Sequence, residues 1–270
     1  MQDKHCVETA KMLMGIKGPA ERLLFDSKRD RFNLSHSIKT SVRKDLNANF
    51  IETGDGCVAI ATQYPYPYQI ESQLQLLVDN RTPVLVVLAS NNDIINDKLS
   101  SYFSISGKYG EIYTRSSHES SISLAGDIRV EIYQLEISGY KATVSVPVIH
   151  VNNWPDHQTI DFNTTLELVN IIESIASDKK NFYAKRNSRA VADPKRMLPV
   201  LHCRAGVGRT GQTIAAMIMR KNPRLSLPSI VKDLRISRNN QMIQTRTQME
   251  TLVILNQHLQ RQWDRNEVVS

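Results

Sequence analysis

The residues from His202 to Gly211 read His-Cys-Arg-Ala-Gly-Val-Gly-Arg-Thr-Gly, and they bring a thiol, two guanidinium groups and a hydroxyl close together in the chain. Pro199-Val-Leu-His202 before them is a short apolar strand, and Ile214, Met217 and Ile218 after them recur at helical spacing. Cys203 therefore sits where a strand ends and Arg209 where a helix opens. Gly206 and Gly208 permit the positive φ values that turn successive backbone N–H groups to one side. A loop of that kind at a helix N-terminus is an anion cradle. The planar fork of Arg209 matches two oxygens of a phosphate. The same positive field favours thiolate over thiol, and the thiolate is the nucleophile. A dianion held directly over a sulfur anion suits phosphoryl transfer to cysteine. The bland alternative is a buried structural cysteine beside an ordinary glycine turn. A bare Cys-x5-Arg spacing would not decide between them; His202, the two glycines and Arg209-Thr210-Gly211 decide for the site.

The elements that must position this loop are legible around it. Thr82-Pro-Val-Leu-Val-Val-Leu88 is an unbroken apolar run rich in β-branched residues, the pattern of a strand covered on both faces. Val130, Ile132, Leu135 and Ile137, then Ala142, Val144, Val146 and Val148 after Gly139, read as a β-hairpin. Thr164 with Glu167 forms a capping-box pattern ahead of Leu166, Val169, Ile172 and Ile175. A last helix is expected over 245–262, with Leu252, Leu255 and Leu259 on one face. Residues 1–25 suggest a short broken helix packing on or preceding the main domain, interrupted by Gly15, Gly18 and Pro19. Lys28-Arg29-Asp30-Arg31 reads as a solvated turn, Tyr64-Pro-Tyr-Pro-Tyr68 as an ordered surface loop, and Lys185 to Arg196 as a solvated basic loop within reach of an acidic substrate. Strands and helices mix without strict alternation and no linker divides them. The expectation is a single α/β domain over 26–270, a highly twisted mixed β-sheet flanked by helices on both faces.

Composition narrows the setting. At 270 residues with 41% hydrophobic and 23% charged, the chain can bury a proper core. No stretch approaches the ~20 apolar residues of a membrane helix, and the N-terminus lacks a secretory signal pattern. Thirty-four basic against twenty-seven acidic residues give +7, which suits acidic ligands without choosing among nucleic acid, phospholipid and phosphorylated substrates. Cys6, Cys57 and Cys203 form no CxxC pair and no disulfide framework, so a structural zinc is not expected and the thiols fit a reducing compartment.

Further motifs agree with the loop. His-Cys-x-x-Gly-x-x-Arg-Thr-Gly resembles the signature of the cysteine-dependent protein tyrosine phosphatases. Trp154-Pro155-Asp156 resembles that family's closing loop with its general acid, and Gln244-Thr245 with Gln248 its glutamine loop. Asp45-Leu-Asn-Ala-Asn-Phe50 and Ile60-Ala-Thr-Gln63 resemble two of its framework segments, so the likeness runs over about residues 30 to 260. Gln63-Tyr-Pro, Asn80-Arg-Thr-Pro-Val-Leu85, and Val148-Ile-His-Val-Asn-Asn-Trp-Pro-Asp156 are similar to the effector branch typified by the Yersinia outer-protein phosphatase. Those enzymes are injected into host cells by type III secretion.

What the resemblance implies is specific. Cys203 would attack phosphorus in line and form a phosphocysteine. Arg209 and the amides of Arg204, Ala205, Gly206, Val207 and Gly208 would hold the phosphoryl oxygens. Asp156 would protonate the departing tyrosine oxygen and then serve as base for water. Gln244 would position that water, with Gln248 beside it. The Thr210 hydroxyl would hydrogen-bond the sulfur, His202 would order the loop, and Trp154 would be the hinge of the acid loop as well as a core residue. Phe32 would stack on the phosphotyrosine ring in a pocket too deep for phosphoserine. Asp93 stands where the family has a glutamate paired with the loop arginine; one methylene shorter, it leaves a direct pair with Arg209 open. Leu34 stands where many relatives grip the peptide backbone with an aspartate, and no meaning attaches to Gly211 in place of some relatives' alanine.

The implied function is hydrolysis of phosphotyrosine on proteins by a secreted bacterial virulence effector acting in the host cytoplasm, with no cofactor or metal. Partners would be phosphotyrosine-containing proteins, with no nucleic acid and no membrane span. A monomer is expected, and a secretion chaperone would bind a region outside this sequence. Two alternatives stay open. A phosphoinositide phosphatase would use the same cysteine chemistry, but its loop lysines are here Ala205 and Val207; a non-catalytic phosphotyrosine-binding module would not need Cys203, Asp156, Arg209 and Gln244 together.

Overall fold

The computed structural model describes residues 4–178 and 197–267; the basic stretch 185–196 lies outside them. The chain opens with α1 (Lys4–Met14) and a small antiparallel pair, β1 (Arg22–Leu23) and β2 (His36–Ser37). It continues through β3 (Ala48–Thr53), β4 (Gly56–Thr62), α2 (Ile70–Asn80), β5 (Leu85–Val87) and α3 (Asn91–Asn96). Next come β6 (Gly107–Tyr109), β7 (Ile112–Ser123), β8 (Arg129–Ser138) and β9 (Val144–Val151). Then follow α4 (Phe162–Ser177), β10 (Val200–His202), α5 (Gly208–Lys221), α6 (Leu227–Ser237) and α7 (Arg246–Glu267).

Eight strands form one mixed sheet in the order β3-β4-β10-β5-β9-β8-β7-β6. The four central strands run parallel and the outer ones antiparallel. Side chains alternate between the two faces, as strand geometry requires. Val86, Leu201 and Ile149 face a core built with α1 and α4 to α7, whereas Leu85, Val200 and Val148 face one built with α2. Both faces are thus covered, which explains the unbroken apolar run at β5. On α1, Cys6, Ala10 and Leu13 are buried and the helix packs on α7.

In a parallel sheet, loops at the carboxyl ends of the strands gather on one edge, where ligands bind. Here β4, β10, β5 and β9 deliver Tyr64, Cys203, Asp93 and Trp154 to that edge.

Three local readings need correction. α4 starts earlier than the Thr164 capping box predicts: Asp161 is its N-cap, accepting from the amides of Asn163 and Thr164 at 2.9 and 3.1 Å. A carboxylate outbids a hydroxyl for the positive end of a helix, and Thr164 Oγ1 donates to that carboxylate instead. Arg29 and Asp30 are not solvated but buried. They pair with each other at 2.7 Å, and Asp30 also accepts from Asn47 Nδ2, so the charge is neutralised inside. Tyr64 is likewise buried, its hydroxyl donating to Ser100 O, while Tyr66 and Tyr68 stack at 5.1 Å and only the tip of the segment reaches solvent.

Candidate active site

The loop after β10 is held by its carbonyls. His202 O accepts from Leu88 N at 2.7 Å, Arg204 O from Tyr64 N at 2.9 Å, and Val207 O from Ile243 N at 3.1 Å. Gly206 O and Ala205 O accept from Arg238 Nε and Nη2 at 2.7 and 3.2 Å. Cys203 O faces His202 Nδ1 at 3.3 Å. Every carbonyl from His202 to Val207 is therefore bound outward by the scaffold. The amides of Arg204 to Val207, by contrast, donate to no acceptor among the described residues. Backbone N–H groups seldom stay unpaired away from water, so this set is free to take an anion. Gly206 makes the turn possible: its φ is +69° and a Cβ there would stand 1.9 Å from Thr62 O.

Arg209 opens the helix at the bottom of the cradle and is buried. Nη1 donates to Asp93 Oδ2 at 2.7 Å and to Trp154 O at 2.8 Å; Nη2 donates to Asp156 Oδ1 at 2.9 Å. Its Nε is buried without a partner. Asp93 does reach it directly, despite the shorter side chain. The reason is local: Asp93 and Ser90 cap α3 reciprocally, Ser90 N donating to Asp93 Oδ2 and Asp93 N to Ser90 Oγ, which plants the carboxylate next to the loop.

Asp156 lies over the cradle between two cations, Oδ1 on Arg209 and Oδ2 accepting from Arg204 Nη1 at 2.7 Å. Burial pushes its carboxyl up, but Arg209 and Arg204 outweigh burial and hold it below the usual carboxylate range. Trp154 is fully buried, its Nε1 donating to Gln158 O at 3.0 Å. Gln248 Nε2 donates to the same carbonyl at 3.1 Å, and Gln248 Oε1 accepts from Gln244 N at 3.0 Å. Gln248 is thus a buried link between acid loop and glutamine loop, not a wall of the pocket. Gln244 sets its Oε1 beside Gly208, where a Cβ would lie 3.2 Å away.

The remaining sites sort by position. Cys203 is buried at the foot of the cradle. Thr210 Oγ1 is buried and has no hydrogen-bond partner, so the bond to sulfur expected for it is not made. Phe32 is half-buried with the Arg204 guanidinium 5.6 Å from its ring centre, so the two line one side of the mouth. His202 is fully buried, and burial pushes it down to about 3, so it is neutral. Its Nδ1–H points at the Cys203 carbonyl, which leaves Nε2 to accept from Tyr102 OH at 2.8 Å.

The family model described as protein-tyrosine phosphatase matches residues 24–256. The chain belongs to the protein-tyrosine phosphatase family. It is 43% identical over 223 residues to the tyrosine-protein phosphatase YopH of Yersinia enterocolitica, covering 80% of this chain and 47% of that protein. It is 32% identical over 222 residues to the secreted effector protein SptP of Salmonella typhi, covering 82% of this chain and 39% of that one. The chain thus spans less than half the length of these relatives. The catalytic domain of human protein tyrosine phosphatase non-receptor type 18 shares the fold, with a TM-score of 0.67 at 20% identity over 86% of this chain and 85% of that one.

Within this phosphatase domain, two residues at the site escape the sequence motifs. Arg238 follows α6 and is fully buried; besides the two loop carbonyls it donates to Ala61 O, Asn49 Oδ1 and Asn47 Oδ1. Burial pushes it down to about 10, the nearby Cys203 opposes that shift, and it stays charged. The Asn47-Ala-Asn49 segment was the available signal: two amides at alternate positions entering β3 can face one side and share a partner. The second is Asp97, which pairs with Arg204 at 2.5 Å. No pattern marked it. Gly211, to which no meaning attached, approaches the Met242–Ile243 backbone so closely that a Cβ would stand 2.6 Å from Ile243 N.

Proposed function

We propose that this chain is the catalytic domain of a protein-tyrosine phosphatase that hydrolyses phosphotyrosine on proteins through a phosphocysteine intermediate, without metal or cofactor. One observation carries the reading: the loop's carbonyls are all engaged outward, its amides turn inward, and a buried guanidinium with an unpaired Nε closes the ring around Cys203. An aryl phosphate dianion fits that ring with its phosphorus over the sulfur. Cys203 Sγ attacks as the P–O bond to the ring breaks, and the three equatorial oxygens gain charge that the amides and Arg209 stabilise. Asp156 gives its proton to the departing phenolate oxygen. Water, set by Gln244 and deprotonated by Asp156, then releases phosphate and restores the thiolate. Phe32 stacks on the substrate ring, and the reach from ring to sulfur favours tyrosine over serine.

Likeness to a protein named a secreted effector and to a Yersinia tyrosine phosphatase supports a bacterial effector delivered by type III secretion into the host cytoplasm. There it acts as a monomer on host phosphoproteins, and a chaperone-binding region belongs to sequence outside this chain. The test is phosphate release from a phosphotyrosyl peptide, the matching phosphoseryl peptide and a soluble phosphoinositide. Turnover of the first alone is expected, abolished by Cys203→Ser while binding persists. Preferred turnover of the phosphoinositide, or binding of the phosphotyrosyl peptide without release, would overturn it.

A further inference from the structure

Asp93 in helix α3 and Asp97, the residue that caps its C-terminus, present carboxylates four residues apart, each paired with a different arginine of the loop. Asp93 Oδ2 accepts from Arg209 Nη1 at 2.7 Å, and Asp97 Oδ2 lies 2.5 Å from Arg204 Nε as an ion pair whose N–H is not aligned on the carboxylate. The two arginines converge on one further carboxylate, Arg209 Nη2 on Asp156 Oδ1 and Arg204 Nη1 on Asp156 Oδ2. Charge therefore alternates along Asp93, Arg209, Asp156, Arg204 and Asp97, and this chain of pairs begins on α3 and ends on its C-cap. Asp97 N donates to Asp93 O at 3.0 Å, so the last turn of the helix fixes the two carboxylates relative to each other.

The two grips on Asp156 differ once substrate binds. A phosphate dianion takes the fork of Arg209, which matches two of its oxygens. Oδ1 is thereby released, while Oδ2 keeps its hydrogen bond from Arg204 Nη1 at 2.7 Å, with His157 Nε2 3.6 Å away on the exposed side. That is the useful arrangement: Oδ1 carries the proton toward the leaving oxygen while Oδ2 stays bound as the carbonyl oxygen of the acid. Arg204, however, is a long side chain partly exposed at the rim, with 27% of its side-chain surface in solvent. Left to itself it would sample many rotamers. Asp97 and the Phe32 face remove that freedom from two sides. Arg31 also lies in the field of Asp97 but spends its own N–H groups on Tyr64 O and Pro65 O, which leaves Asp97 to Arg204.

We infer that Asp97 is a positioning residue for the general acid, holding Arg204 so that its second arm keeps Asp156 over the leaving oxygen throughout phosphoryl transfer. The inference rests on the reading of Asp156 as proton donor. In the step it serves, the S–P bond forms, the P–O bond to the aryl ring breaks, and the Asp156 proton moves to the aryl oxygen. Its placement therefore matters most for esters whose leaving oxygen needs that proton.

The test compares kcat/KM for a phosphotyrosyl peptide and for p-nitrophenyl phosphate, whose stabilised phenolate departs with little protonation. Asp97→Ala should lower the value for the peptide about three- to tenfold and that for the activated ester less than about twofold. Asp97→Asn, which keeps the side-chain volume, should give the same pattern, and Asp97→Glu should recover most of the loss. In an Arg204→Ala background, Asp97→Ala should cost less than about twofold further. Equal losses on both esters, or effects of the two changes that multiply in full, would overturn the inference. Asp156→Asn run in parallel separates the two readings. If it shows leaving-group-dependent loss and Asp97→Ala does not, only the role of Asp97 falls; if it shows none, the proton-donor reading falls with it.

Discussion

Arg209 Nη2 and Asp156 Oδ1 lie 2.9 Å apart, so the phosphate-binding cation and the proton donor are already an ion pair in this arrangement. With Arg204 on the second oxygen, the pairing keeps the Asp156 carboxyl below the usual carboxylate range. A donor must carry a proton, and the protonated fraction falls tenfold for each pH unit above the pKa. Turnover should therefore be fastest on the acid side of neutrality. Removing a cation raises the Asp156 pKa: Arg204→Ala should move the basic limb of the kcat/KM–pH profile to higher pH. Asp156→Asn should remove that limb and lower kcat on phosphotyrosine by about 10²- to 10⁴-fold. A limb that stays in place in Arg204→Ala would show that Asp156 does not set it.

Arg238 joins the loop to the Asn47–Asn49 segment and the end of α6, although it contacts no reacting atom. Removing it leaves the buried Gly206 carbonyl without its partner, at about 1–3 kcal/mol, and takes one hydrogen bond each from the carbonyls of Ala205 and Ala61. Arg238→Met should destabilise the fold by about 1–3 kcal/mol in urea unfolding. It should also weaken inhibition by vanadate, an oxyanion that needs the ordered amides. Unchanged vanadate affinity in folded Arg238→Met would show that the amides hold their places without it.

Three buried histidines, His36, His150 and His202, tie stability to pH, and burial pushes each of them down. Burial pushes His202 down from 6.5 to about 3, and burial with the charges of Arg238 and Arg29 pushes His36 down to about 4. Both are neutral in the fold, whereas the unfolded chain takes up protons below pH 6.5. Their contribution is full above 6.5 and is lost as pH falls toward the folded values, by on the order of 1 kcal/mol per pH unit for each. The urea midpoint should decline steadily from pH 6.5 to 4.5, and His202→Asn should flatten that slope. A midpoint independent of pH across this window would contradict both assignments.

The chemistry was more legible in the sequence than the scaffold that holds it. Cys203, Arg209 and the strand-loop-helix around them follow from residue types and spacing, because a cradle of amides needs glycines at set places. The parallel core showed itself in β5, since a strand buried on both faces has no polar alternation to mislead. What stayed hidden depends on distant partners. Arg29 and Asp30 read as solvated because their burial follows from Asn47, Gln63 and Gln69, all far along the chain. The Asp93–Arg209 pair rested on a cap at Ser90 that only the fold brings to the loop. Arg238 and Asp97 lie in unremarkable stretches and become part of the site through tertiary contacts alone.

The most direct measurement is acid quench of the protein during turnover of a ³²P-labelled phosphotyrosyl peptide, followed by digestion and location of the label. The account predicts covalent label on the peptide containing Cys203, none in Cys203→Ser, and more at steady state in Gln244→Ala, where hydrolysis of the intermediate slows. Full turnover with no protein-bound label, or label on another residue, would contradict it.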